Sequence, residues 1–290
     1  MRAHGMTGTG IMRNLAPRPC AAVLASLGFA ANASASDAPM LDTFSVNAGV
    51  FANNLDADLR VNGNSGRGTT IDLKRDLGVG GSRSLPFFSM TWRPFERHEF
   101  GVAYYQDDVS RTRTASRDIT IRDNTYTAGT DISAKLNLES YGLGYRYWAW
   151  IGDQAAFGVG CGLEAYSFDL KLRGTAVVTG PDGSQSVVAD AQAKASTDIP
   201  DPYIGFSYRY QLTDWARLAG DAGAFKANVG DIDATLYNMR FGLELYPWQN
   251  FGIVTQYSYN KIDADVSKTN FNGNATFRFS GVQVLFKFRY

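Results

Sequence analysis

Whatever chemistry this sequence carries rests on charged residues placed at alternate positions. Arg93, Arg146, Arg209, Arg217, Arg240, Lys287 and Arg289 supply positive charge, and Glu164, Asp221 and Glu244 negative charge. Each lies in a short segment where apolar and polar residues alternate, and it lies on the polar side. Successive side chains of an extended strand point to opposite faces, so these charges share a face that excludes the apolar residues. If the faces converge on one interior, the charges must pair or stay hydrated, because an isolated buried charge is very costly. Two uses remain open. The charges form an ion-pair network that fills the interior, or they line a narrow water path whose basic excess favours anions.

Other chemistry finds little support. Gly158-Val159-Gly160-Cys161-Gly162 has the spacing of a dinucleotide loop, but it sits inside an alternating segment with no helix after it. Small residues clearing space suit it better. The aspartates Asp107, Asp108, Asp118, Asp123 and Asp131, and the pair Asp263 and Asp265, read as solvated loop charge, since no calcium-loop spacing is present. No zinc motif, phosphate-binding loop or catalytic serine motif occurs, so no catalytic, cofactor or metal residue is assigned and no cofactor is expected.

The elements that must position the charges are strands. Phe44, Val46, Ala48 and Val50 alternate with Ser45, Asn47 and Gly49, and Phe88, Met90 and Trp92 with Ser89, Thr91 and Arg93. Eight more alternating segments centre on 100–107, 140–147, 157–164, 204–210, 216–223, 237–245, 251–260 and 281–290. Tight turns at 94–98, 151–154, 212–214 and 247–250 interleave with longer polar loops at 56–84, 111–134, 173–198, 228–233 and 263–273. Val177 and Val187 flank a turn-forming Pro181-Asp182-Gly183-Ser184, so strands there can run on as a hairpin. Trp92, Phe95, Tyr147, Trp148, Trp150, Tyr210, Trp215, Tyr246, Trp248 and Tyr290 crowd the turn side, as an interfacial girdle would.

The last ten residues, GVQVLFKFRY, place Val282, Val284, Phe286, Phe288 and Tyr290 on one face and Gln283, Lys287 and Arg289 on the other. This resembles the carboxy-terminal strand of Gram-negative outer-membrane β-barrel proteins. The resemblance implies that the assembly machinery reads Val284, Phe286, Phe288 and Tyr290. It also implies that the final strand closes the barrel on the first.

Targeting and composition agree with that class. Arg13 and Arg18 precede an apolar run over 20–31 and small residues Ala33-Ser34-Ala35, which read as an export signal spanning 1–35 and leave 36–290 as the barrel. Removing 1–35 takes Arg2, Arg13 and Arg18 and no acidic residue, so the formal charge falls from 0 to −3 and does not suggest a nucleic-acid partner. Cys161 alone remains, which rules out an internal disulfide framework. No later segment has the run of about 18 apolar residues that a spanning helix needs.

The fold expected is therefore all-β: a transmembrane antiparallel up-and-down barrel of about ten strands in the bacterial outer membrane, monomeric and in contact with outer-membrane lipids and lipopolysaccharide. Misreading the segment at 216–223 or the stretch 56–84 would change the number to eight or twelve. The leading function is a narrow pore or small-solute conduit. The alternative is a structural or adhesive barrel whose outer loops bind lipopolysaccharide, host or phage. A barrel enzyme comes third, and the protein is expected not to be one. Outer-membrane aspartyl proteases have similar size, but the only histidine after the signal, His98, falls in a tight turn on the periplasmic side. A general base must reach its substrate, and an outer-face site lies a membrane thickness away.

Overall fold

A computed structural model describes residues 40–62, 68–179, 183–229, 231–268 and 271–290. The export-signal reading of 1–35 lies outside them, as do Pro181 and Asp182 of the predicted hairpin turn. In chain order the strands are β1 (Phe44–Val61), β2 (Ile71–Asp72), β3 (Gly81–Phe95), β4 (His98–Thr114), β5 (Ile119–Ile121), β6 (Asn124–Tyr126) and β7 (Asp131–Ile151). They continue with β8 (Ala155–Thr179), β9 (Gln185–Thr213), β10 (Ala216–Val229), β11 (Ile232–Leu245), β12 (Phe251–Lys268) and β13 (Phe271–Arg289). β2, β5 and β6 are short loop pieces. The other strands form a ring in which each pairs antiparallel with its chain neighbours, and β8–β9 and β1–β13 pairings complete it. Ten strands therefore make a closed up-and-down barrel, as the alternation predicts. The closing seam runs from Ser45↔Arg289 to Val61↔Gly273.

Closure is a physical requirement here, because an open sheet edge in lipid would leave backbone groups unsatisfied. The outer surface shows that lipid is the solvent: Val50, Phe88, Val102, Leu143, Val159, Ile204, Phe241, Val284 and Phe286 are all exposed in one belt. Soluble proteins do not expose apolar surface on that scale. Cys161 is also exposed on this face. At the turn end Trp92, Phe95, Trp150, Trp215, Trp248 and Tyr290 point outward. Trp148 and Tyr246 depart from the expected girdle, since both are buried inside. The β7–β8 register shifts between Trp148 and Trp150, which sends the two rings to opposite sides of the wall.

The long polar loops expected from sequence are largely strand. β1 extends into the supposed loop as far as Val61, and β8 and β9 form the expected hairpin flanking 180–184, with Val177 opposite Val187. β10 runs to Val229, while β12 and β13 pair up to Lys268↔Phe271. The reason is an inversion of polarity without a change of register. On β1 the apolar outward set ends at Val50, and from Phe51 onward the inward positions are apolar except for Asn53: Leu55, Ala57, Leu59 and Val61 are buried while Asp56, Asp58 and Arg60 are exposed or half-buried. β7 inverts in the same way, with Leu138, Leu136, Ala134 and Ile132 inward. On β8, Tyr166, Phe168, Leu170 and Leu172 follow Glu164 on the inner face. Below the inversion the barrel faces lipid. Above it the same strands face water and enclose a conventional hydrophobic core.

The membrane part of each strand is thus about ten residues, which suits a tilted transmembrane strand. On β8, residues 165–179 continue past it, a rise of roughly 35–40 Å at ~3.3 Å per residue and ~40° tilt. Where this extension begins, β3 and β4 stop pairing after Phe87↔Tyr105 and β9 and β10 after Ile204↔Ala224. Arg83 of β3 bridges the first gap to Asp107 of β4 at 2.8 Å. Pro200 and Pro202 flank the second and cannot donate to a ladder. Ile71, Leu73, Leu77 and Val79 of the β1–β3 connection and Ile119, Ile121 and Tyr126 of the β4–β7 connection fill the top of the core.

Candidate functional site

The sequence-selected charges converge on the membrane-level interior, in two layers. The layer nearer the turn end is built on a cross-strand pair, Arg217 of β10 opposite Glu244 of β11. Arg217 Nε lies 2.9 Å from Glu244 Oε2, and Lys287 Nζ of β13 lies 3.1 Å from the same oxygen. The Tyr246 hydroxyl donates to Glu244 and accepts from Arg217 Nη2 at 2.6 Å. Arg289 lies with its guanidinium carbon 3.5 Å from the centre of the Tyr246 ring, a close cation–π contact.

A sixth side chain completes this layer, and sequence reasoning missed it. Asp42, just before β1, reaches into the cluster, with its carboxylate 2.7 Å from Lys287 Nζ, 3.0 Å from Arg217 Nη2 and 3.6 Å from Arg289 Nη1. Alternation cannot find it, because it lies on no strand. Arg93, assigned to the interior face, sits at the mouth of the barrel. Its Nε and Nη2 donate to the carbonyls of Asp42 and Leu41 at 3.1 and 3.0 Å.

The deeper layer centres on Arg146 of β7. Its guanidinium donates to Glu99 of β4, to Asp221 of β10 at 2.8 Å and to Ser207 of β9 at 2.6 Å. Ser207 donates to Asp221 at 2.7 Å, and Arg209 lies 3.3 Å from that carboxylate. The buried Trp148 indole donates to Glu99 at 3.0 Å. Glu99 is the second carboxylate absent from the sequence-based set. The signal was present: Phe100 and Val102 face out, so Glu99 must face in. Arg240 stands opposite Asp221 in register, and Glu164 accepts a hydrogen bond from Ser140 at 3.0 Å. With Asp42 and Glu99 included, the basic excess of the interior shrinks, and the arrangement is that of an internal ion-pair network. A polar cavity of about 200 Å³ runs alongside both charged layers up to the outer core, lined by Asn47, Ser89, Glu164, Tyr203, Arg240 and Gln283 among others.

Above the cavity the interior is closed by rings. Tyr105 contacts Phe51, Phe87 and Phe279 at centroid distances of 6.1, 6.4 and 6.3 Å. Tyr166 stacks on Phe279, and Phe168 meets Phe277 at 5.2 Å. All of these rings are buried.

The residues considered for other chemistry have ordinary partners. His98 Nδ1 lies 2.8 Å from the Tyr145 hydroxyl at the turn end. Asp108 pairs with Lys135, Asp118 accepts from the Ala128 amide, Asp131 accepts from Thr114 and Asp263 pairs with Lys261. In the extension, Asp76 accepts from Arg75 at 3.0 Å and from Arg117 at 2.5 Å. Burial pushes its carboxyl upward, but the two guanidinium hydrogen bonds, a backbone contact from Asp72 and the Arg117 charge outweigh it and bring the pKa to about 2.

No family model matches the sequence, and no curated protein matches it. Solved structures do. The outer membrane protease OmpT from Escherichia coli superposes with a TM-score of 0.55 over 85% of this chain and 96% of its own, at 12% identity. Neisserial surface protein A follows with a TM-score of 0.34, 13% identity and coverage of 86% and 97%. The toluene transporter TodX of P. putida gives 0.36, 11% and coverage of 90% and 94%. At these identities the likeness is one of fold: the chain has the architecture of a bacterial outer-membrane β-barrel.

Proposed function

We propose that this protein is a non-conducting outer-membrane barrel that holds a rigid, water-facing extension above the membrane as a binding surface for lipopolysaccharide, host or phage. The observation that carries this reading is the filled lumen. Ring-to-ring contacts from β8 to β13 cross the whole interior, and a solute would have to break a buried aromatic core to pass. The outer face of the extension is a mixed-charge aqueous surface, with pairs such as Lys194–Asp169 at 2.9 Å and Lys171–Asp169 at 3.6 Å. Strands, rather than loose loops, carry that surface, so little ordering entropy is lost when a partner binds.

The test is single-channel recording in planar bilayers. Refolded protein with heat-modifiable gel migration should give no discrete conductance steps. Reproducible steps of defined size would overturn the reading in favour of a conduit. That second reading is supported by the 200 Å³ polar cavity, which has room for about six waters. Proteolysis, the activity named for OmpT, is not carried over. The histidine that the described residues hold, His98, is engaged with Tyr145 at the turn end, away from the extension.

A further inference from the structure

Asp42 enters the barrel mouth as a ligand enters a site. It is not part of the wall, and the segment bearing it is gripped along its backbone. Arg217 Nη1 donates to the Met40 carbonyl at 2.5 Å, and Arg93 holds the carbonyls of Leu41 and Asp42. Leu41 packs in a separate apolar socket formed by Trp148 and Ala156, with Ile151 beside it. An aliphatic group and a carboxylate are thus received side by side, in adjoining pockets of opposite character.

The receiving cage is built for more than Asp42 uses. Arg217, Lys287 and Arg289 bring three positive charges, all at least nine-tenths buried, against Asp42 and Glu244. Arg289 donates through Nε to the Gln249 carbonyl at 2.8 Å, but its Nη1 and Nη2 have no hydrogen-bond partner. Asp42 Oδ1, the oxygen nearest to it, is likewise without one. The tethered carboxylate stops 3.6 Å from Arg289 Nη1, beyond hydrogen-bond distance, whereas a free one can turn to accept both arms of the guanidinium. Without Asp42, three buried cations would face one carboxylate, which is very unfavourable unless another anion enters.

We propose that Arg217, Lys287, Arg289 and the Leu41 socket form a binding site for a small carboxylate with a short aliphatic tail, open to the turn end and occupied in the resting barrel by the chain's own Leu41-Asp42. The segment is a built-in competitor. Leu41 and Asp42 also line the polar cavity, so the site adjoins it. The site holds whether or not the barrel conducts, because it lies below the aromatic seal.

Chemical rescue tests it. Asp42→Gly removes the tethered carboxylate, and the thermal unfolding of the detergent-folded variant should fall below that of the parent. Sodium isovalerate should restore most of the loss, while sodium chloride at equal ionic strength and isoamylammonium chloride should not. The parent barrel, already occupied, should respond little. If the variant does not fold, its refolding yield becomes the readout, and isovalerate should raise it. In an Asp42→Gly, Arg289→Gln double variant, the isovalerate concentration needed for rescue should rise about tenfold, the loss of one charge-assisted contact. Rescue by chloride equal to rescue by isovalerate, or no rescue of either stability or yield, overturns the proposal.

Discussion

Tyr166 and Phe279 stack with ring planes 11° apart and centroids 6.0 Å apart, although β8 and β13 stand on opposite sides of the ten-strand ring. The lumen at that level therefore has the width of two aromatic side chains. Phe279→Ala should remove buried contacts with Tyr105, Tyr166 and Phe277 together, and large-to-small changes of this kind cost about 3–5 kcal/mol. Phe286→Ala, on the lipid face and 75% exposed, should cost distinctly less. Urea unfolding of the two variants in matched lipid vesicles measures both. Equal losses would show that the aromatic column is not the core of the extension.

Asp76 ties the β1–β3 connection to the β4–β7 connection through Arg117, which also donates to the Thr70 carbonyl at 2.7 Å. Its folded pKa of about 2 lies below the ordinary aspartate value of 3.8. A carboxyl depressed in the folded state contributes stability that is present above the unfolded pKa and lost as pH falls through the folded one. Protection of the 69–80 backbone against hydrogen exchange should hold above pH 4 and weaken between about pH 4 and 2. Asp76→Asn should abolish that pH dependence and leave the loop less protected above pH 4, with the difference from the parent closing toward pH 2. A loop whose protection is flat across the window in the parent protein would contradict the assignment.

The ten membrane segments were legible because alternation with period two is imposed by a wall with lipid on one side and a polar interior on the other. The extension was not legible by the same rule. At Val50-Phe51 the apolar residues move from even to odd positions, and a reader requiring one apolar face takes that step for the end of the strand. The run Leu55, Ala57, Leu59 and Val61 carries the signal in plain view, but only to a reader who expects the solvent outside the barrel to change from lipid to water. Of the interior charges, those on strands were readable from parity, including Glu99 in retrospect. Asp42 was not, since its position is set by tertiary contact and by no local period. Trp148 reads as a girdle residue in sequence because the register shift that turns it inward has no local signal.

Glu99 serves two donors, the Arg146 guanidinium and the Trp148 indole. Glu99→Ala would leave the indole N–H buried without an acceptor and Arg146 short of one carboxylate. Breaking a buried ion pair from one side costs about 3–5 kcal/mol. Glu99→Gln retains an acceptor for Trp148 and should cost less. Trp148 is fully buried while Trp92, Trp150, Trp215 and Trp248 are exposed to the surroundings. Fluorescence of a protein retaining Trp148 alone should therefore change in Glu99→Ala and stay close to the parent in Glu99→Gln. A Glu99→Ala barrel with unchanged emission and unfolding midpoint would show that the network does not stabilise the fold.

Tyr290 joins two roles that can be separated. Its backbone closes the barrel: the Tyr290 carbonyl accepts from the amides of Thr43 and Phe44 at 2.9 and 2.8 Å, and its amide donates to the Phe44 carbonyl at 2.8 Å. Its ring is 78% exposed and contributes little packing. Tyr290→Ala keeps the backbone bonds, so it should refold in detergent nearly as well as the parent. In cells, where the resemblance of the terminal strand implies that an assembly machinery reads the aromatic residue, the same variant should reach the outer membrane poorly. Deleting 288–290 removes the closing bonds, the Phe251–Phe288 contact and Arg289, and should fail in both settings. Refolding yield by heat-modifiable gel migration, set against outer-membrane yield from cells, separates the two. Equal behaviour of Tyr290→Ala in detergent and in cells would mean that the ring is not read.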